Sequence, residues 1–264
     1  MKKYLVALLL ACVSLASNAQ KIELGAVGGG SYYMGDLNPG KPFELVQPAY
    51  GLVYRYNFNN RVAVKANFIK GLVTGDDLLT KYREERGINF ESDIYELAVM
   101  MEFNFFDYFT GSSHNYVSPY IFGGIGAFMY NPQATYGGTQ YSLRELQTEG
   151  NSYSQFAVAF PFGIGIKYSL TNTIGLTLEW GMRKTTTDYL DDVSTTYSAQ
   201  ALGFDNDLNP QPVAPFDPSG NYREGMQRGN SKDNDWYSFA GLSVVFRINF
   251  QGKANCDEPH RMRF

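Results

Sequence analysis

From residue 156 to residue 184 apolar and polar positions alternate strictly. Phe156, Val158, Phe160, Phe162, Ile164, Ile166 and Tyr168 fall on one set of alternate positions, and Ala157, Ala159, Pro161, Gly163, Gly165 and Lys167 on the other. After a break at 171–173, Ile174, Leu176, Leu178, Trp180 and Met182 alternate with Gly175, Thr177, Glu179, Gly181 and Arg183. A period of two sends successive side chains to opposite faces of a strand, so each segment has one complete apolar face and one small or charged face. Six more segments, 22–34, 49–58, 62–69, 92–105, 117–130 and 236–250, read as strands, which makes eight. In 117–130 both faces are apolar, and its orientation is not readable. Asp76 and Asp77 before LLTKYREER predict a short helix start with charge partners at i,i+4.

Alternation of this kind fits a soluble sandwich or a barrel with lipid outside and a polar lumen, and periodicity does not separate them. The connections do. Those near 58–61, 106–116 and 171–173 are short or moderate, while 35–47, 71–91, 131–154 and 185–235 are long. Short periplasmic turns and long external loops are the habit of outer-membrane barrels, and eight tilted strands of about ten residues span a hydrocarbon layer of about 25 Å. The N-terminus agrees: Lys2 and Lys3, an apolar run over 5–15, and Ser17 and Ala19 spaced for cleavage before Gln20 form a secretory signal peptide. Acylation at Cys12 is the alternative processing, but it would cut the apolar run short. The expected organisation is a signal peptide over 1–19, an all-β, eight-stranded antiparallel transmembrane barrel over 20–250 with long external loops, and a periplasmic tail over 251–264. An even strand count returns both chain ends to the periplasm.

With the apolar faces toward lipid, Arg55, Lys65, Glu96, Glu102, Lys167, Glu179, Arg183 and Arg247 point inward. An eight-strand barrel has an interior just wide enough for side chains to fill, so a plugged, salt-bridged lumen is expected in place of an aqueous pore. Glycines 51, 163, 165, 175, 181 and 241 on the inward face would make room for the long Arg and Glu side chains.

Charge and candidate chemistry narrow the function classes. Removing Lys2 and Lys3 from the 22 basic residues leaves 20 against 26 acidic ones, a net charge of −6 with no basic patch interleaved with aromatics, so no nucleic-acid partner is expected. Cys256 is then the sole thiol, which excludes an internal disulfide. The histidines are His114, in a periplasmic turn, and His260, in the tail. Neither maps to the outer rim where a membrane-embedded hydrolase or acyltransferase would place one, so the chain is not expected to be an enzyme. Asp76–Asp77, Asp191–Asp192 and the acidic run 203–207 read as hydrated loop carboxylates, because their spacing fits no complete calcium loop; no metal or cofactor is expected. The surfaces able to meet a periplasmic partner are the turn over 107–116 and the tail, and the candidate contacts are Asp107, His114, Cys256, Arg261 and Arg263.

The runs YREERGINFESDIYELAVMMEFNF, SPYIFGGIGAFMYNPQA, LRELQTEG, FPFGIGIKYSL, EWGMRKTTTDYLDDVST and DWYSFAGLSVVFRINF resemble, in order, the PorG-like outer-membrane proteins of the Bacteroidota type IX secretion system. The likeness covers about 22–250, and EWGMRKTTTDYLDDVST is its most specific piece. The resemblance implies an eight-stranded barrel that contacts the periplasmic ring of the secretion machine, built of PorK and PorN, and serves as a structural anchor in protein export. It carries over no individual functional residue. The alternative is a small OmpA- or OmpW-like barrel with a structural or minor ligand-transport role, for which a continuous apolar inner channel would be the mark.

Overall fold

The computed structural model describes residues 22–198, 217 and 221–248. Eight long strands make the wall: β1 (Ile22–Met34), β2 (Gln47–Asn57), β3 (Val62–Asp76), β4 (Asn89–Asn104), β5 (Val117–Tyr136), β7 (Phe156–Ser169), β8 (Ile174–Thr185) and β9 (Trp236–Ile248). Each pairs antiparallel with its sequence neighbour along the wall, and β1 pairs with β9 to close the cylinder. A ninth strand, β6 (Thr139–Ser142), folds back on the far end of β5 outside the closed wall. Two one-turn helices, α1 (Asp77–Thr80) and α2 (Leu143–Leu146), lie in the connections after β3 and β6. Closure leaves the wall without a free edge, which a strand exposed to hydrocarbon could not tolerate.

The pleat assigns the faces as the alternation requires. Leu52, Leu97 and Ile164 are 63%, 59% and 56% exposed on the outer wall, whereas Arg55, Lys65, Lys167 and Arg183 are buried inside. A water-soluble fold reverses this arrangement. Inside, Ala98, Met100, Tyr120 and Phe122 pack together midway, and a larger cluster that includes Tyr33, Leu37, Phe90, Phe128, Leu190 and Tyr237 fills the end that carries the long connections.

Several strands run further than their apolar periodicity suggests. β3 continues to Asp76 because Gly71 and Gly75 face inward beneath rings: a Cβ at Gly71 would meet Phe239 Cε1 at 2.5 Å, and one at Gly75 would meet Phe90 Cε1 at 2.6 Å. β5 continues to Tyr136, with Glu91 of β4 paired to Gln133 and β6 covering its last residues. Its readable face emerges only in the fold, with Tyr120, Phe122, Phe128 and Tyr130 inward. Between Gly123 and Gly126 the ladder from β5 to β7 is interrupted opposite Pro161, which has no N–H to donate.

Candidate functional site

The inward charges converge on Glu102. Arg55 Nε donates to it at 2.8 Å, Lys167 Nζ lies 2.6 Å away and Lys65 Nζ 3.3 Å away. Register brings them together, since Arg55 stands beside Lys65 on β3 and beside Glu23 on β1. Arg55 Nη1 bonds Glu23 at 2.8 Å, and Lys65 also bonds Glu179, which accepts a second bond from Tyr120 Oη at 2.6 Å. Nearer the long-loop end Arg183 Nε pairs with Glu96 at 3.3 Å, and Tyr237 Oη donates to the same carboxylate at 2.7 Å. Four cations and four carboxylates therefore neutralise one another in the lumen.

The sequence reading did not count Glu23 among these groups, although its place opposite Arg55 on an alternating strand was the available signal. Aromatic rings from β5 were missed as well. Lys65 Nζ sits 4.4 Å from the Phe122 ring centre and Lys167 Nζ 4.7 Å from that of Tyr120. The inward glycines accommodate these rings as much as the long charged chains: a Cβ at Gly163 or Gly181 would meet Phe122 Cζ at 2.6 Å, and one at Gly165 would meet Tyr120 Cε1 at 2.6 Å.

Arg247 corrects the expected network. Among the described residues it has no carboxylate partner; it lies near the short-turn end, donates from Nη1 to the Thr110 carbonyl at 2.7 Å and stacks 4.8 Å from the Phe109 ring centre. Glu23, the acid within reach of that end, is already taken by Arg55 and by Thr110 Oγ1 at 2.7 Å.

A second polar cluster caps the long-loop end, and here the reading of Asp77, Asp191 and Asp192 as hydrated groups is overturned, while the acidic run 203–207 lies outside the described residues. Asp77, Asp191 and Asp192 are all fully buried. Asp76 does cap α1, accepting from the Leu78 and Leu79 amides, but the partner of Asp77 is Arg86, nine residues on, which grips it with Nε at 2.6 Å and Nη2 at 2.7 Å. Burial alone would lower the pKa of Arg86, yet Asp77 more than reverses this. Arg86 also ties the loops together, donating to the Arg228 carbonyl at 2.8 Å and the Asp36 carbonyl at 3.2 Å. Arg228 in turn bonds Glu149 and Asp192, each at 3.2 Å, and Glu149 accepts the Ser194 and Thr195 amides at 2.9 and 2.8 Å.

Beside these pairs sits an acidic excess. Tyr33 Oη bonds Asp191 and reaches Asp235 at 3.1 Å, with no arginine or lysine among the described residues paired to either acid. Burial, together with the Asp36 charge, holds Asp191 well above the carboxylate range, and burial with Asp191 close by does the same to Asp235. Asp188 is half-buried, and its burial, with other acids nearby, pushes it up to about 7. Among the described residues no three His, Cys, Asp or Glu side chains converge to hold a metal ion. The composition of TTTDYLDDVST, three acids among hydroxyls and one tyrosine ring, was the local hint of such a cap.

At the opposite end Asp107 is exposed and ion-paired with exposed Arg61, and His114 is exposed in the turn before β5. Cys256, Arg261 and Arg263 lie outside the described residues, as do the signal segment and the tail.

The family described as Domain of unknown function (DUF6089) matches residues 2–211, and the chain belongs to it. Among the curated proteins none matches. Solved structures with similarity include Neisserial surface protein A (10% identity, 86% of this chain and 97% of that one, TM-score 0.46). The outer membrane protein OprG from Pseudomonas aeruginosa is 12% identical over 87% of this chain and 98% of that one, with a TM-score of 0.41. Ail, the attachment invasion locus protein of Yersinia pestis, in complex with the heparin analogue sucrose octasulfate, is 14% identical over 86% of this chain and 97% of that one, with a TM-score of 0.40.

Proposed function

We propose that this DUF6089-family barrel is an integral outer-membrane protein with a non-catalytic role: it anchors a protein-export assembly of the type IX kind by meeting a PorK/PorN-like periplasmic ring. The carrying observation is the division of the molecule. Its outer wall is apolar from Leu24 on β1 round to Phe246 on β9, while its lumen charges are spent on one another. An apolar cylinder of eight antiparallel strands fits a lipid environment, and outer-membrane lipid is its first partner. A lumen closed by ion pairs and rings supports a role performed at the surfaces and speaks against passage of a solute. One hollow in the wall, bordered by Val27, Gly29, Glu179 and Gly241, measures only about 20 Å³, room for about one water. The export role itself is supported by the sequence resemblance.

In this orientation the short turns and both chain ends face the periplasm, and the long-loop cap faces outward. The ring would then meet the turn between β4 and β5, with Asp107 and His114, and the tail with Cys256, Arg261 and Arg263. Alkaline extraction is expected to leave the protein in the outer-membrane fraction, with a heat-dependent gel mobility. Affinity capture from detergent-solubilised outer membrane, read by mass spectrometry, is expected to recover ring components, and deletion of 252–264 to remove them. An inserted full-length barrel that captures no ring component would sink the export reading. Equal recovery by the truncated barrel would move the contact to the turn. Planar bilayers are expected to show no steady conductance, and a sustained current would favour the small-barrel transport alternative.

A further inference from the structure

On the outer wall the side chains change character within one pleat repeat. Along β4 the outward positions read Val99, Leu97 and Tyr95, then Asp93 and Glu91, and on β5 they read Met129, then Asn131 and Gln133. Register sets Tyr95 beside Met129, Asp93 beside Asn131 and Glu91 beside Gln133. The apolar band therefore ends at Tyr95 and Met129, which remain 39% and 42% exposed, and a polar trough begins directly above them. Its volume is about 560 Å³, within the range of about 300–1,000 Å³ usual for small-molecule sites, and Leu72, Tyr130, Gln140 and Gln155 complete its lining. A second hollow of about 360 Å³ shares Glu91 and extends the trough toward Gln47, Thr74, Asn89 and Thr135.

The chemistry of this lining is selective. Amide side chains both donate and accept, carboxylates accept from paired hydroxyls, and an exposed tyrosine ring offers an apolar platform with a polar rim. The acidic charge is only partly offset: Lys70 is tied to Asp93 at 3.4 Å and lies 5.1 Å from the Tyr95 ring centre, while Glu91 is held by the neutral Gln140 amide. A phosphate or sulfate entering here meets net negative charge and finds no free cation among the lining residues. A polyhydroxylated ring meets matched donors, acceptors and a flat face.

We propose that this trough binds an uncharged saccharide, the sugar headgroup of a glycolipid whose acyl chains lie along the apolar wall below Tyr95. The inference rests on the outer-membrane reading above, because the position of the trough at the upper margin of the apolar band is what places it among headgroups. Continuity with the exposed Leu97 and Val99 surface favours a lipid-linked sugar over a free one.

The test uses the full-length protein in nanodiscs. One arm titrates a neutral hexose oligosaccharide and its phosphorylated form by calorimetry. The other reconstitutes the barrel with a neutral glycosyl diacylglycerol or with phospholipid alone and counts bound glycolipid by native mass spectrometry. Wild type is expected to bind the neutral oligosaccharide or to retain the neutral glycolipid, retention in the lipid arm alone identifying the lipid-linked source. Glu91→Gln combined with Tyr95→Ala is expected to weaken binding at least tenfold, and Gln133→Leu several-fold, with Lys184→Gln on another part of the wall unchanged. Heat-dependent gel mobility reports insertion independently, so a barrel that inserts but binds in neither arm overturns the site and leaves the membrane reading standing. Unchanged binding in the Glu91/Tyr95 variant, or tighter binding of the phosphorylated form, also overturns it.

Discussion

Glu102→Gln is the perturbation that most directly weighs the lumen. The carboxylate is fully buried and serves three cations, but those cations do not depend on it equally. Arg55 keeps Glu23 at 2.8 Å, and Lys65 keeps Glu179. Lys167 keeps no carboxylate; what remains to it is the Tyr120 ring at 4.7 Å and the Tyr108 ring at 5.8 Å. Leaving one buried charge uncompensated costs about 3–5 kcal/mol, and a desolvated cation–π contact offsets about 2 kcal/mol of it. The expected loss is therefore about 3 kcal/mol, nearly all of it attributable to Lys167. Glu23→Gln should cost less, about 1–2 kcal/mol, because Arg55 retains two bonds to Glu102. The decisive variant is the double change Glu102→Gln with Lys167→Met, which removes the orphan and is expected to recover at least about half of the loss. Urea titration in lipid vesicles, followed by the emission of Trp180 and Trp236 and by heat-dependent gel mobility, measures all three. A loss below about 1 kcal/mol for Glu102→Gln, the level of an exposed pair, would refute the reasoning. So would a double variant less stable than the single one.

The cap is expected to loosen as pH rises. Asp191 and Asp235 have raised values and Asp188 is pushed up to about 7, so the folded cap binds protons that the opened loops release, and that stability is complete below the ordinary carboxylate range and lost as pH climbs through the raised values. Limited proteolysis of the long loops between pH 5 and pH 9 is expected to accelerate, and Asp188→Asn to flatten the part of the change around pH 7; a rate that falls with pH would contradict it. Arg247→Ala is expected to cost about 1 kcal/mol or less, against about 3–5 kcal/mol for Arg183→Ala, which strands Glu96; equal losses in urea titration would place the two arginines in the same network after all. Gly181→Ala sets a methyl 2.6 Å from Phe122 Cζ and is expected to cost about 1–3 kcal/mol, relieved by Phe122→Leu in the same background.

How much of this was legible in the sequence depends on how far apart the causes lie along the chain. Alternation in β7 and β8 is a local property, and it carried the strands, their faces and the inversion of inside and outside with it. In β5 the same rule failed, because the lumen is not uniformly polar: Lys65 and Lys167 rest on Phe122 and Tyr120, so a strand that supplies those rings is apolar on both sides. The far ends of β3 and β5 failed for a related reason. Gly71 and Gly75 look like loop residues until Phe239 and Phe90, from β9 and β4, are set above them. The buried cap was least legible of all. Whether Asp192 is hydrated or buried is decided by Arg228, thirty-six residues away, and whether Asp191 is buried is decided by Tyr33 on the first strand. A carboxylate in a long loop is solvated by default, and what reverses the default here is closure of the barrel itself, which brings the ends of β1, β8 and β9 together and makes an arginine and a tyrosine available over one opening. The cap is thus a consequence of topology, and a loop mutation in it acts on strands that are remote in sequence.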